Sequence, residues 1–135
     1  MDCIFCKIVA GEVPSTKLFE DDVTLAFMDV NPAANGHCLI IPKAHYPTVY
    51  DIPADAIGRT AATASKIARA VNEALVPDGI NLVQANGPGA AQSVLHFHFH
   101  VIPRIGGDRL IMNWDQMEGN PNRIAQVAAQ IREKL

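Results

Sequence analysis

The chain has little that would mark it for a membrane, a nucleic acid or an oxidising compartment. Its 135 residues carry 11 Lys and Arg against 14 Asp and Glu, a net charge of −3, with no basic run. Non-specific nucleic-acid binding is driven by clustered cations neutralising phosphates, so this balance argues against it. Aromatic residues make up only 6% and form no aromatic-plus-Arg stacking platform. No apolar run approaches the roughly 20 residues of a membrane span. Met1-Asp2-Cys3 opens without the basic and apolar regions of a secretory signal. Three cysteines is an odd count, which fits a reducing compartment better than a disulfide scaffold. The expectation is a soluble cytoplasmic protein with neither nucleic-acid nor membrane partner. The length suits one domain over residues 1–135, and a composition 49% apolar and 19% charged is ordinary for a globular chain.

What the chain does concentrate is histidine. Three of its five lie in His96-Phe97-His98-Phe99-His100. On a β-strand successive side chains alternate between faces, so the three imidazoles share one face and the two phenylalanines the other. A strand built only for a core gains nothing from a row of groups that titrate near neutral pH. The chemistry is therefore expected here.

The surrounding pattern reads as α+β. A short helical turn precedes Gly11. Leu18–Glu20 and Val23–Met28 read as strands around the Asp21-Asp22 turn, and His37–Pro42 as a third. Asn31–Gly36 is a loop and Tyr46–Pro53 a connector. Ile57, Ala61, Ala64, Ala68, Val71 and Leu75 step by four and three, one apolar stripe of a long helix that Asp51 and Pro53 suit as a start. Ile80–Ala85 and Val94–Pro103 complete five strands, and a last helix begins near Asn122. The expected architecture is a five-stranded antiparallel sheet with a long central helix and a C-terminal helix, all helices on one side. Cys38 reads as a core residue. Trp114 suits either an oligomer contact or a core anchor.

Three histidines on one strand face are compatible with a facial metal site or with a nucleophilic imidazole oriented by its neighbours. The preceding loop, Asn86-Gly87-Pro88-Gly89-Ala90-Ala91-Gln92-Ser93, favours the second. Small residues allow backbone N–H groups to form an anion-binding concavity, and Gln92 and Ser93 can donate to phosphate oxygens or a leaving group. The strand offers no carboxylate that a catalytic metal would use.

The run His96-Phe97-His98-Phe99-His100-Val101-Ile102 resembles the motif of the histidine-triad (HIT) family. The resemblance extends through Cys3-Ile4-Phe5-Cys6-Lys7-Ile8, Phe27-Met28-Asp29-Val30-Asn31-Pro32, Gly36-His37, Ile41-Pro42-Lys43 with His45, and Gln92-Ser93-Val94. It implies a HIT-like fold and a hydrolase of nucleoside phosphoramidates or similar adenylated substrates. In that scheme His98 attacks the α-phosphorus to give a nucleotidyl-histidine, which water releases as a nucleoside monophosphate. His100 binds the phosphate, His37 supports the triad, Gln92 and Ser93 assist the leaving group, and Asp29 accepts the ribose hydroxyls of a purine nucleotide. A turn role for Asp29 before Asn31-Pro32 is the plainer alternative. A dinucleoside polyphosphate hydrolase and a nucleotide-binding module are the competing functions.

Cys3-x-x-Cys6 alone is a weak signal, open to a redox pair or two small buried side chains. The resemblance implies a closed structural zinc site made with His45 and His96, leaving His98 and His100 for phosphate. It also implies a homodimer. Two positions depart from the family: Ala85 stands where an Asn is frequent, and Ala91 where a Gly is frequent, which is costly if that position needs positive φ.

Overall fold

In the computed structural model, which describes residues 2–110 and 114–135, the sheet has the order β1-β2-β3-β5-β4 with every neighbouring pair antiparallel. The strands are β1 Lys17–Glu20, β2 Thr24–Met28, β3 Cys38–Pro42, β4 Gly79–Gln84 and β5 Phe99–Arg104. Helices α1 Ile4–Val9, α2 Ala54–Leu75 and α3 Pro121–Arg132 complete the α+β fold, with a single 3₁₀ turn at Pro88–Ala90.

The two faces of the sheet are covered by different helices. Ala26, Cys38, Ile40 and Val101 point to one face and pack against Ala64, Ile67 and Val71 of α2. Leu25, Phe27, Leu39 and Ile41 point to the other and meet Cys3, Phe5 and Ile8 around α1. This corrects the expectation of helices on one side. The physical cause was present in Cys38-Leu39-Ile40-Ile41, an unbroken apolar run of the kind that marks a strand covered on both faces. α2 is amphipathic as expected, with Ala64 and Val71 of the stripe buried, but Thr60, Thr63 and Ile67 join them and Leu75 is exposed; Cys38 lies in the core as expected.

The C-terminal helix is present, but its stripe is uncovered: Ile124 and Ile131 are exposed, and no α3 residue is buried among the described residues. Trp114 is 82% exposed, which removes the core-anchor reading.

The fifth strand is shorter than the pattern predicts, beginning at Phe99 rather than Val94. The last β3–β5 pair is Ile40 with Phe99. Beyond it Phe97 N–H donates to Tyr46 O at 2.6 Å, so the connector takes over the pairing. The Pro42 carbonyl at the end of β3 accepts from a histidine ring instead of a strand amide. The alternation survives this change: Phe97 and Phe99 meet edge to face at 5.3 Å, while His96 and His98 both lie against Phe5.

Candidate active site and metal cluster

Each histidine's neighbours decide which ring nitrogen carries its proton. His98 Nδ1–H donates to the His96 carbonyl at 2.6 Å, a bond made within the same extended segment. Neutral imidazole has one N–H, so Nε2 keeps a lone pair. His98 is buried, and burial holds its pKa below the ordinary 6.5, keeping the ring neutral at physiological pH.

His37 leaves the loop before β3. Gly36 has φ +92°, and a Cβ there would run into Leu75 and sit 3.1 Å from Pro103, so glycine allows the close approach that delivers His37. Ala33 N–H donates to His37 Nδ1 at 2.9 Å. That nitrogen is therefore the acceptor, and Nε2–H donates to His100 Nδ1 at 2.8 Å. The same reasoning leaves His100 with its proton on Nε2, a donor for a ligand. Burial, then the neighbouring His98 and His37, push the His100 pKa down to about 4. His37 is also lowered, chiefly by burial and against the pull of Asp29.

Asp29 serves two neighbours. One carboxylate oxygen accepts from Asn31 N–H at 2.8 Å, the turn role considered above. The other lies 3.5 Å from His37 Nε2. Asp29, His37 and His100 sit close enough to suggest a cation site. Their hydrogen bonds oppose it, because His37 Nε2 holds the proton while Nδ1 accepts the Ala33 amide.

A cavity of about 420 Å³ opens over this group. His98, His100, His37, Asp29 and Ser93 form its polar end, while Phe5, Ile8, Phe27 and Leu39 form an apolar floor. The floor residues carry no chemical signature, so sequence reasoning missed them. The apolar face of α1 was the available signal for Phe5 and Ile8, and the apolar strands β2 and β3 for Phe27 and Leu39.

Gln92 does not belong to that polar end. It is buried, its Oε1 accepts Gly87 N–H at 2.8 Å, and its amide hydrogens go to Pro47 O at 2.7 Å and Val94 O at 3.1 Å. Both donor hydrogens are committed to backbone, which corrects the expectation that Gln92 donates to phosphate. It ties the loop to the connector instead. Ala91 in that loop has φ 62° and ψ 32°, so the left-handed conformation feared from the sequence is real, and an alanine bears it. Gln84 and Asn86 bond each other at 2.7 and 2.9 Å, and Asn86 Oδ1 also takes Val49 N–H. Neither amide replaces the one absent at Ala85.

His96 works differently. Its Nε2–H donates to Pro42 O at 2.8 Å, so Nδ1 carries the lone pair. That nitrogen lies 3.5 Å from Cys3 Sγ, 3.6 Å from Cys6 Sγ and 3.3 Å from His45 Nδ1. Zinc–nitrogen and zinc–sulfur bond lengths imply separations of roughly 3.3–3.8 Å between donors on a tetrahedron. The four residues fit such a group, with no fifth side chain among the described residues in the cluster. His96 gathers with Cys3, Cys6 and His45 while His100 gathers with Asp29 and His37, so a facial metal site of His96, His98 and His100 is not formed.

The model of the HIT domain matches residues 10–107. The crystal structure of a HIT family member from Bacillus subtilis superposes with a TM-score of 0.94 at 38% identity, covering 100% of this chain and 98% of that one. An adenosine 5′-monophosphoramidase of Saccharomyces cerevisiae, HNT1, is 40% identical over 98% of this chain and 82% of its own length. A zinc-bound histidine triad family protein from Mycobacterium smegmatis is 37% identical, with a TM-score of 0.78 over 100% and 99% of the two chains. With its fold, its histidine run and these relatives, the chain belongs to the HIT family.

Proposed function

We propose that the protein hydrolyses the α-phosphate of purine nucleoside 5′-phosphoramidates or similar adenylated substrates through a nucleotide carried on His98. The observation that supports this most is the His98 tautomer. With Nδ1–H held by the His96 carbonyl, the lone pair on Nε2 belongs to a residue lining the cavity. His100 Nε2–H then donates to a non-bridging phosphate oxygen, and His37 sets that donor. Asp29 accepts from the ribose hydroxyls with the oxygen not used by the turn, and the purine lies on the apolar floor.

In the first step the Nε2 lone pair forms an N–P bond as the P–N bond to the leaving amine breaks. The departing nitrogen keeps that electron pair and takes one proton from solvent, relayed by the Ser93 hydroxyl. The phosphorylated imidazole is cationic, and its Nδ1–H bond to the carbonyl strengthens. Water then attacks phosphorus, His98 leaves neutral, one proton returns to solvent, and a nucleoside monophosphate is released. The resemblance of the chain to a monophosphoramidase supports the substrate class.

Cys3, Cys6, His45 and His96 hold a structural zinc in this reading, which pins α1 against the sheet; its donor separations and the zinc-bound relative support it. A second copy of the chain covers the uncovered stripe of α3, giving a homodimer. No helix among the described residues is long and apolar enough to cross a membrane. The test of the function is rapid quenching of the protein with an adenosine phosphoramidate, then mass spectrometry of the peptide bearing His98. One added nucleotidyl group at His98 is expected. Tight nucleoside monophosphate binding without turnover would instead identify a binding module.

A further inference from the structure

Two residues join the cysteine–histidine cluster to the nucleophile. His96 turns its ring toward Cys3, Cys6 and His45, while its backbone carbonyl holds His98 Nδ1–H at 2.6 Å. Phe5, in the chain between the two cysteines, lies edge to face on His98 at 5.2 Å and on His96 at 5.9 Å. A change at the two sulfurs therefore reaches His98 by two short paths. The sulfurs are also placed to bond to each other. The donor atoms of the cluster all lie within 4.8 Å of one another, and a disulfide needs about 2.05 Å. Cys3 Sγ already accepts Cys6 N–H at 3.4 Å, which folds it over the first turn of α1 toward residue 6. Cys6 is only part-buried, so a small oxidant reaches it. The third cysteine is placed differently: Cys38 is buried in the cluster on the α2 face, and its Sγ–H donates to Gly36 O at 3.0 Å.

Resting on the zinc site and the His98 nucleophile proposed above, we infer that Cys3 and Cys6 form a reversible oxidation site, a redox switch that exchanges the cation for a disulfide and slows the chemistry at His98. The oxidant is a peroxide. The Cys6 thiolate attacks one peroxide oxygen, forming a sulfenic acid and expelling hydroxide. The Cys3 thiolate then attacks that sulfur, forms the S–S bond and expels a second hydroxide. The two thiolates give up two electrons, the peroxide takes them, and the hydroxides take protons from solvent. With two of its four donors spent on each other, the cluster releases the cation. His96 Nδ1 is left without its partners, and Phe5 shifts with the segment that carries it. Excess thiol reverses the bond by exchange.

The test treats the zinc-loaded protein with a few equivalents of hydrogen peroxide. It follows metal released to a chromogenic chelator, free thiols after denaturation, the mass of the tryptic peptide ending at Lys7, and kcat/KM for an adenosine phosphoramidate. Metal release should keep step with the loss of two of the three thiols, and the peptide, which holds Cys3 and Cys6, should become lighter by two hydrogens. The rate kcat/KM should fall by about tenfold or more, the usual cost of freeing a group that orients a working side chain. Added thiol with zinc should restore metal, thiols and rate, and Cys38→Ala should respond as the wild type does. Thiols and metal that both survive the peroxide, or a sulfinic acid on one cysteine in place of the disulfide, would overturn the switch and leave the proposed function standing. An unchanged kcat/KM once the disulfide has formed would remove the coupling to His98. A purified protein that takes up no zinc would overturn the zinc site, and this inference with it. No turnover by the reduced protein would overturn the proposed function, while the thiol and metal counts still decide the exchange of cation for disulfide.

Discussion

The two histidine clusters differ in what holds the second nitrogen of each ring. In the Cys3–Cys6–His45–His96 group, the Pro42 carbonyl fixes His96 Nε2–H and turns the Nδ1 lone pair toward two thiols and another imidazole. In the Asp29–His37–His100 group, the Ala33 N–H occupies the lone pair of His37 Nδ1, His37 Nε2–H occupies that of His100 Nδ1, and an N–H is delivered outward. One arrangement converges acceptors, which suits a cation. The other ends in a donor beside the lone pair of His98, which suits an anion and its attack. Imidazoles serve in both, and backbone carbonyls and amides set which ring nitrogen is free.

Replacing the nucleophile breaks the comparison most sharply. His98→Ala is expected to lower kcat/KM for a phosphoramidate by about 10⁴-fold or more, with secondary structure retained by circular dichroism. Residual activity near wild type would remove His98 from the mechanism.

Damage to the other cluster should act on the fold. Cys6→Ser should lose bound zinc, measured by elemental analysis of the purified protein, and cost about 3 kcal/mol or more in chemical denaturation. Wild-type stability with no metal in either protein would return the two cysteines to small core residues.

The relay can be tuned without touching the nucleophile. His37→Ala removes the group that holds His100 Nδ1 and should reduce kcat by about 10- to 100-fold with little change in KM, as for other groups that orient a working side chain. A change confined to stability would mean that the His37–His100 bond is only packing.

Acid tests the same relay through its protons. His100 titrates near 4 in the fold against an ordinary 6.5, so between those values the unfolded chain binds more protons than the native one. Its contribution to stability is complete above 6.5 and is lost as pH falls toward 4. Thermal unfolding followed from pH 7 to pH 4 should show the decline, and His100→Asn should flatten it. An equally steep decline in that variant would assign the acid sensitivity elsewhere.

The smallest effect concerns the loop that serves the anion side. Ala91 bears a left-handed backbone that glycine adopts without a Cβ penalty. Ala91→Gly is expected to raise stability by about 1 kcal/mol in denaturant titration. A loss would mean that the rigidity of alanine outweighs its strain.

Much of this was legible before any coordinates. The period of α2 and the proline stop of β3 are local patterns, and each produced the element expected of it, while the His-Phe alternation of faces persists although β5 begins only at Phe99. The positive φ behind Ala91 was legible too, because the concern arose from the position itself. Gln92 was misread for the opposite reason. A carboxamide near a phosphate loop looks like a donor until Pro47, 45 residues away, claims one of its hydrogens. The start of β5 was misread similarly, since Tyr46 competes with β3 for Phe97 and no period records that competition.

By itself, then, the sequence determined the inventory: an imidazole row on one face, two thiols one helical turn apart, a glycine before His37 and small residues before Ser93. Those follow from bond geometry and near-neighbour periodicity, which act over a few residues. Tertiary structure alone decided which nitrogen of each ring is occupied and which amide is spent on the scaffold. Hydrogen bonds of about 3 Å tolerate little error in position, and their partners here come from segments far apart in the chain.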